Sequence, residues 1–141
     1  MAKKQAYHEL LARLAEEEYN DMFLYFKEAG LFKKKLHKGQ RIADLFNRFA
    51  AVELRHADIL TAKLIALGGT PHASLKFLET ATSLHSVLER HRVRERTAHD
   101  EYARLLDMTD DEAFRISLKG IRENEREHLE TITHILDRLG R

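Results

Sequence analysis

The feature that most constrains this sequence is a set of four long apolar stripes with helical spacing. Apolar residues recur every three or four positions, which places them on one face of an α-helix. The stripes begin near Leu11, Ile42, Leu84 and Phe114. Because the chain has only one Pro and six Gly, it is predicted to be all-α. The expected helices have about 23 to 30 residues, or roughly 35–45 Å at 1.5 Å per residue.

Gly, Pro and capping residues mark where these helices should begin and end. Gly30 is expected to end the first helix, and a Lys-rich loop then leads to Gly39. The Gly-Gly-Thr-Pro run at Gly68–Pro71 should end the second helix. Ser83 is the expected N-cap of the third helix, and Thr109–Glu112 has the pattern of a capping box that opens the fourth.

The connection from Gly68 to Thr82 is long enough to decide the topology. At about 3.3 Å per residue it can run the whole length of a helix bundle. Amphipathic helices of this length pack as four-helix bundles. The sequence therefore predicts one domain over residues 1–141, a four-helix bundle with one long crossover between helices 2 and 3. Phe77 and Leu78, within the crossover, are expected to pack on the bundle surface.

Composition excludes several classes of function. The absence of Cys excludes disulfides, thiolate metal sites and Cys nucleophiles. Lys and Arg total 24 against 23 Asp and Glu, so the net charge of +1 provides no general attraction to nucleic acid. No apolar run approaches membrane-spanning length, and the N-terminus lacks an apolar signal core. We expect a soluble cytoplasmic protein without nucleic-acid or membrane partners.

Each apolar stripe is interrupted near its middle by a carboxylate. A lone ionised carboxylate in a bundle core costs several kcal/mol, so a cluster of them needs a neutralising partner. Two divalent cations would neutralise four carboxylates. The interrupting residues are Glu18, Glu53, Glu95 and Glu125.

Two of these carboxylates open a Glu-x-x-His motif, at Glu53–His56 and Glu125–His128. Residues three apart share a helix face, so each motif directs a carboxylate and an imidazole to one point. About one such motif is expected by chance in a chain this long, but both copies fall on core stripes. One Glu from each of two helices and Glu-x-x-His from each of the other two is the di-iron carboxylate arrangement, and manganese accepts the same ligands. The predicted metal ligands are Glu18, Glu53, His56, Glu95, Glu125 and His128.

Other polar residues on these stripes have less defined roles. Tyr25 and Tyr102 follow Glu18 and Glu95 by seven residues, so each lies on its Glu's face. They are candidates to hydrogen-bond a liganding carboxylate, or they are core aromatics. Glu16 and Glu17 fall off the apolar line. Ordinary bundle histidines are favoured over ligands for His91 and His99, and structural or surface roles are expected for His8, His37, His72, His85 and His134.

With these residues the chain resembles the ferritin-like superfamily, most closely bacterioferritins and rubrerythrins. The resemblance covers nearly the whole chain and implies a di-iron site in which the Glu of each Glu-x-x-His motif bridges the metals and His56 and His128 are terminal ligands. The matching segments are Glu18 with Tyr25-Phe26, Glu53–Ala57 followed by Leu67–Pro71, Glu95 with Tyr102, and Glu125–His128.

Departures from the family patterns narrow the expectation. A rubrerythrin would add a Cys-ligated rubredoxin domain and an extra Glu at the position of Ala98. A bacterioferritin would bind haem through a Met at the position of Leu54, so no haem is expected. The sequence ends at Arg141 without the short fifth helix of cage-forming ferritins, which favours a homo-oligomer as small as a dimer over a storage shell.

The favoured function is that of a di-iron oxidoreductase, with two iron ions per chain that react with O2 or H2O2 as in ferroxidases and peroxide-scavenging relatives. The electron donor is not identified by the sequence. Three alternatives stay open: iron binding and storage without turnover, hydroxylation of an organic substrate, and a purely structural bundle.

Overall fold

The computed structural model describes residues 2–72, 74 and 83–140. The described residues form four α-helices and no strand: α1 (Ala2–Lys35), α2 (Gly39–Ala66), α3 (Leu84–Met108) and α4 (Glu112–Leu139).

The helices group into two compact units, one of α1 and α2 (Met1–Leu78) and one of α3 and α4 (Glu79–Arg141). The single domain over residues 1–141 stays a prediction, and the packing expected of Phe77 and Leu78 lies outside the described residues. Within the described part of the chain, none of the helices combines the length and the apolar character needed to cross a membrane.

The first helix is longer than predicted, with 34 residues, because Gly30 does not end it. Glycine in a helix costs only about 1 kcal/mol relative to alanine, and burial of a single large apolar side chain exceeds that cost. Phe32 supplies that burial: it is fully buried and packs edge-on against Phe46, with ring centroids 6.3 Å apart. The helix therefore continues to Lys35.

The turn between α1 and α2 depends on Gly39, where α2 begins as predicted. A Cβ at this position would lie 2.0 Å from the carbonyl oxygen of Phe32, a distance that no side chain tolerates. The preceding residue, Lys38, has a left-handed backbone with φ of 58°. The close approach of the Gly39 backbone to the Phe32 carbonyl lets the chain reverse within three residues, 36 to 38.

The predicted break after α2 is confirmed. Gly68 has φ of +83°, and its N–H donates to the carbonyl of Ile65 at 2.9 Å. The N–H of Gly69 donates to the carbonyl of Leu64 at 2.9 Å, so the last carbonyls of the helix are satisfied. Further along, the Asn20 side chain donates to the carbonyl of Ser74 at 3.1 Å, which holds this part of the connection against α1.

Ser83 caps α3 as predicted, because its hydroxyl accepts from the N–H of Ser86 at 3.1 Å. The predicted capping box at Thr109–Glu112 is wrong. The Thr109 hydroxyl instead donates back to the carbonyl of Leu105 at 2.6 Å, and Thr109 ends α3. Asp111 caps α4, accepting from the N–H of Ala113 at 3.1 Å. A capping residue must directly precede the helix, and Thr109 lies too far from the start of α4 at Glu112.

Candidate metal centre

Three predicted ligands meet within the α1/α2 unit. Glu18 comes from α1, and Glu53 and His56 come from one face of α2; each is at most 2% exposed. His56 Nδ1 lies 3.5 Å from Glu18 Oε2 and 4.0 Å from Glu53 Oε2. Each residue offers a ligand atom within 4.8 Å of those of the other two. We call Glu18, Glu53 and His56 the first triad.

The α3/α4 unit repeats this arrangement with Glu95, Glu125 and His128, the second triad. The side chains are at most 5% exposed. His128 Nδ1 lies 3.4 Å from Glu95 Oε1, again an imidazole facing the carboxylate of the neighbouring helix. The ligand atoms of this triad also lie within 4.8 Å of one another. The structure thus brings all the predicted ligands of each unit together.

The donor set of each triad fits a divalent cation. Two carboxylates balance the charge of one such ion, and oxygen with imidazole nitrogen suits iron or manganese. Ligands bound at about 2.1 Å to one ion lie roughly 3.0–3.4 Å apart at tetrahedral to octahedral angles. The imidazole-to-carboxylate distances of 3.4 and 3.5 Å are close to that range. Metal binding would require the other ligand atoms of each triad, which lie within 4.8 Å of one another, to move closer together.

The tyrosines lie in the cores of their units. Tyr25 is fully buried and packs edge-on against Phe46 and Phe49, with centroid distances of 5.4 Å to each. Tyr102 is also fully buried. Both positions agree with a core aromatic, and the hydrogen bond from either phenol to a liganding carboxylate stays a prediction.

The remaining histidines divide by burial. His91 is 1% exposed and lies one turn before Glu95 on α3. His99 is partly exposed, with Nδ1 3.8 Å from Oδ1 of Asp100. Glu16 and Glu17 are partly exposed, which leaves Glu18 as the inward carboxylate of that run. Partial or full exposure, as expected of surface residues, is found for His8, His37, His72, His85 and His134.

Sequence analysis missed a second polar feature of α1. Asn20 and Asp21 are 7% exposed, and Glu28 is fully buried. Asp21 and Glu28 are seven residues apart, so they share a face with Leu14 and form a second buried stripe on this helix. Their spacing was a usable signal. The single stripe predicted for α1 is therefore narrower than the face that this helix buries.

Comparison with known proteins agrees with this architecture. A family model described as a ferritin-like domain matches residues 7–141. No curated protein sequence matches the chain.

Among solved structures, the chain is similar to a ferritin-like, diiron-carboxylate protein from Bacillus anthracis str. Ames, with 21% sequence identity and a TM-score of 0.89. The similarity covers 96% of this chain and 99% of that one. This likeness confirms the predicted all-α fold, a ferritin-like four-helix bundle whose helices 2 and 3 are joined by the long connection. Since the family model matches nearly the whole chain, the protein belongs to the ferritin-like domain family.

Proposed function

We propose that the two triads together form one dinuclear iron centre, and that the protein oxidises Fe(II) with O2 or H2O2. The observation that carries the proposal is the repetition of the buried Glu, Glu and His set in both units, each with an imidazole nitrogen 3.4–3.5 Å from a carboxylate oxygen. Family membership supports it, as does the similar fold of a diiron-carboxylate protein.

The charges of the chain's own residues agree with this function. The two buried carboxylates of each triad repel each other, and a divalent ion in each triad would remove that repulsion. In the proposed centre, Glu18, Glu53, Glu95 and Glu125 would supply the carboxylate ligands, those of the Glu-x-x-His motifs being shared by both ions, and His56 and His128 would each supply one nitrogen. With so few ligands per ion, coordination positions stay open for an oxidant.

Two Fe(II) ions held by the triads would supply the redox chemistry, since one electron from each, with two protons, would suffice to reduce H2O2 to two water molecules or O2 to H2O2. The protein's role is to hold the ligands in place and exclude bulk water. The aromatic packing of Tyr25 against Phe46 and Phe49 fixes its ring within the α1/α2 unit. We assign Tyr25 and Tyr102 the role of holding the orientation of liganding carboxylates. A reducing compartment such as the cytoplasm would keep the iron supply as Fe(II), and we place the activity there.

Anaerobic iron loading followed by oxidation tests the proposal. Chelator-treated protein is loaded with Fe(II), and elemental analysis after gel filtration should find two ions per chain. On stopped-flow mixing with O2 or H2O2, near-ultraviolet absorbance should rise faster than for the same Fe(II) in buffer. Binding of no iron, or oxidation at the buffer rate, would refute the proposal. Uptake far beyond two ions per chain would indicate storage, and preferential loading with Mn(II) from an equal mixture would change the metal assignment.

A further inference from the structure

Positive charge is concentrated where α1 meets α2. Residues 33–48 carry six Lys and Arg side chains and a single acidic one, a net charge of +5, whereas the remaining residues together carry −4. The small overall charge of the chain therefore conceals a strongly basic region at this turn. All six basic side chains are exposed. We call them the basic end: Lys33, Lys34, Lys35, Lys38, Arg41 and Arg48.

The turn between α3 and α4 carries the opposite charge and provides an internal comparison. The acidic residues exposed there are Asp107, Asp110, Asp111 and Glu112. Asp111 caps α4, and Glu112 lies in the first turn of that helix. A helix N-terminus carries partial positive charge, so acidic side chains at these positions stabilise α4. The stability of their own helix thus accounts for Asp111 and Glu112.

The same reasoning accounts for only part of the basic end. Lys33–Lys35 lie in the last turn of α1, where positive charge is favourable. Lys38, however, directly precedes α2, and Arg41 lies in the first turn of that helix, which has no acidic residue and no side-chain cap. Positive charge at the start of a helix opposes the helix dipole. The stability of the hairpin therefore does not account for Lys38 and Arg41.

Arg41 also lines a surface cavity of about 530 Å³ on α2, together with Asp44, Asn47 and Arg48. Arg41 and Arg48 are seven residues apart, so they leave the same face of the helix about 10 Å apart along its axis. Asp44, between them, accepts from Gln40 at 2.7 Å. Within the described part of the chain, neither guanidinium forms an ion pair or a side-chain hydrogen bond. The cavity thus presents two guanidinium groups to a partner.

The basic end suits a partner with several carboxylates. An Arg guanidinium binds a carboxylate through two parallel N–H···O bonds, and each guanidinium of the cavity can bind one carboxylate. From Lys38 to Arg48 the basic side chains extend over roughly 15 Å of α2, at 1.5 Å per residue, and Lys33–Lys35 add to them from the end of α1. A single small anion cannot contact groups this far apart, whereas an acidic protein surface can.

A nucleic acid fits the basic end less well. Phe46 is the only Phe, Tyr or Trp among residues 33–48 and is fully buried, so no such ring is available there for base stacking. The net negative charge of the rest of the chain opposes the binding of a long phosphate backbone. We propose that the basic end binds an acidic surface of a different protein, in a transient contact that salt weakens. This inference does not depend on the proposed redox function.

Titration of a fluorescent polyglutamate peptide with the full chain tests the proposal. Anisotropy should rise at low salt, and the affinity should fall as salt is added. The triple substitution Lys38→Glu, Arg41→Glu and Arg48→Glu should weaken binding by roughly tenfold or more. Its Tm should equal or exceed that of the parent, because acidic side chains favour the start of α2. The control makes the same charge change at exposed positions of α3 and α4: Arg104→Glu, Lys119→Glu and Arg138→Glu. A parent that does not bind, or an equal loss in the control, would overturn the proposal.

Competition at the same salt concentration tests the class of partner. Unlabelled polyglutamate should displace the labelled peptide, and inorganic phosphate at equal negative charge should displace little of it. Full displacement by phosphate would indicate a small-anion site, and tighter binding of duplex DNA than of polyglutamate would indicate a nucleic acid; either result would overturn the proposal. Light scattering of the parent and the triple variant should give the same mass. A lower mass for the variant would show that the basic end binds a second copy of this chain, which would also overturn the proposal.

Discussion

The α1/α2 and α3/α4 units hold the same triad in different surroundings. Glu18 corresponds to Glu95, and the Glu-x-x-His motif of α2 to that of α4. One turn before the first carboxylate, however, α1 has the buried Leu14 and α3 has the buried His91. The triad is repeated without change while its immediate neighbour differs in polarity.

The difference extends along the helices. Asp21 and Glu28, both buried in α1, correspond to Ala98 and Leu105 in α3. A helix pair can therefore place a Glu, Glu and His triad with or without further buried carboxylates around it. The residues of the two triads are therefore expected to bind metal, whereas the buried residues around them are expected to be replaceable.

The largest effect is expected from removal of one carboxylate in each unit. The double substitution Glu53→Ala with Glu125→Ala removes both proposed bridges, and metal content by elemental analysis should fall from two ions per chain to nearly none. The control, Glu17→Ala with Glu127→Ala, removes two carboxylates that lie beside the triads but point away from the buried faces. Full metal content in the first variant would show that the site is elsewhere. Unequal losses in the two single variants would show that the units are not equivalent.

The two imidazoles should contribute equally to oxidation. His56→Ala and His128→Ala each remove the single nitrogen ligand of one triad, so each should slow the absorbance change by roughly tenfold or more. His37→Ala, in the exposed turn between α1 and α2, should react like the parent.

His91→Leu sharpens this test, because it gives α3 the apolar residue that α1 has at Leu14. If His91 only surrounds the site, metal content and rate should be unchanged in this variant. A rate as low as that of His128→Ala would instead make His91 part of the site.

Metal should stabilise the fold, because it binds the native state and removes repulsion between buried carboxylates. At a metal concentration of about 100 times Kd, linkage contributes about 2.7 kcal/mol, which corresponds to a rise in Tm of roughly 5–10 °C for a chain of this size. Differential scanning calorimetry of the apo and Mn(II)-loaded protein measures this rise in Tm without oxidation of the metal. The same Tm for both forms at saturating metal would contradict an internal site.

The smallest effects on Tm are expected where α2 and α3 begin, because the two helices start in different ways. Ser83 caps α3 through its side chain, whereas Lys38 precedes α2 with a left-handed backbone and no side-chain cap. Ser83→Ala should cost about 1 kcal/mol and lower Tm by roughly 2–4 °C. Lys38→Gly should raise Tm slightly, because glycine adopts φ of 58° without strain. A stabilising Ser83→Ala would contradict the capping assignment.

Sequence alone predicted most of the fold and which residues lie together in each triad. Helical periodicity is strong in long amphipathic helices, and Glu18 or Glu125 on an apolar stripe is conspicuous because burial of charge is costly. The end of α1 was not predictable from Gly30, since the deciding contact, Phe32 against Phe46, joins two helices. Thr109 was misassigned for a similar reason: the same residue type can end one helix or begin the next, and only the backbone decides between them.

The exposure of two aromatic side chains on α1 was also beyond sequence reasoning. Phe23 and Phe26 are a few residues from the core residues Met22 and Tyr25, and a sequence pattern does not show which aromatic side chain is left exposed. The antiparallel register from Tyr19 to Asp58 places Phe23 beside Leu54, and a single sequence carries no record of that pairing.

Gly39 and Gly68 should differ in the substitutions that they tolerate. At Gly39 the obstacle is the carbonyl oxygen of Phe32, 2.0 Å from where a Cβ would be, so a saturation library at this codon should return glycine alone. At Gly68 the surroundings are open and only the φ of +83° is demanding, so asparagine should also survive selection. Residue 39 thus acts as a fixed point for the spacing of α1 and α2, and with it for the distance between Glu18 and His56. Residue 68 sets only the backbone conformation at the end of α2, and so it should accept a second residue type.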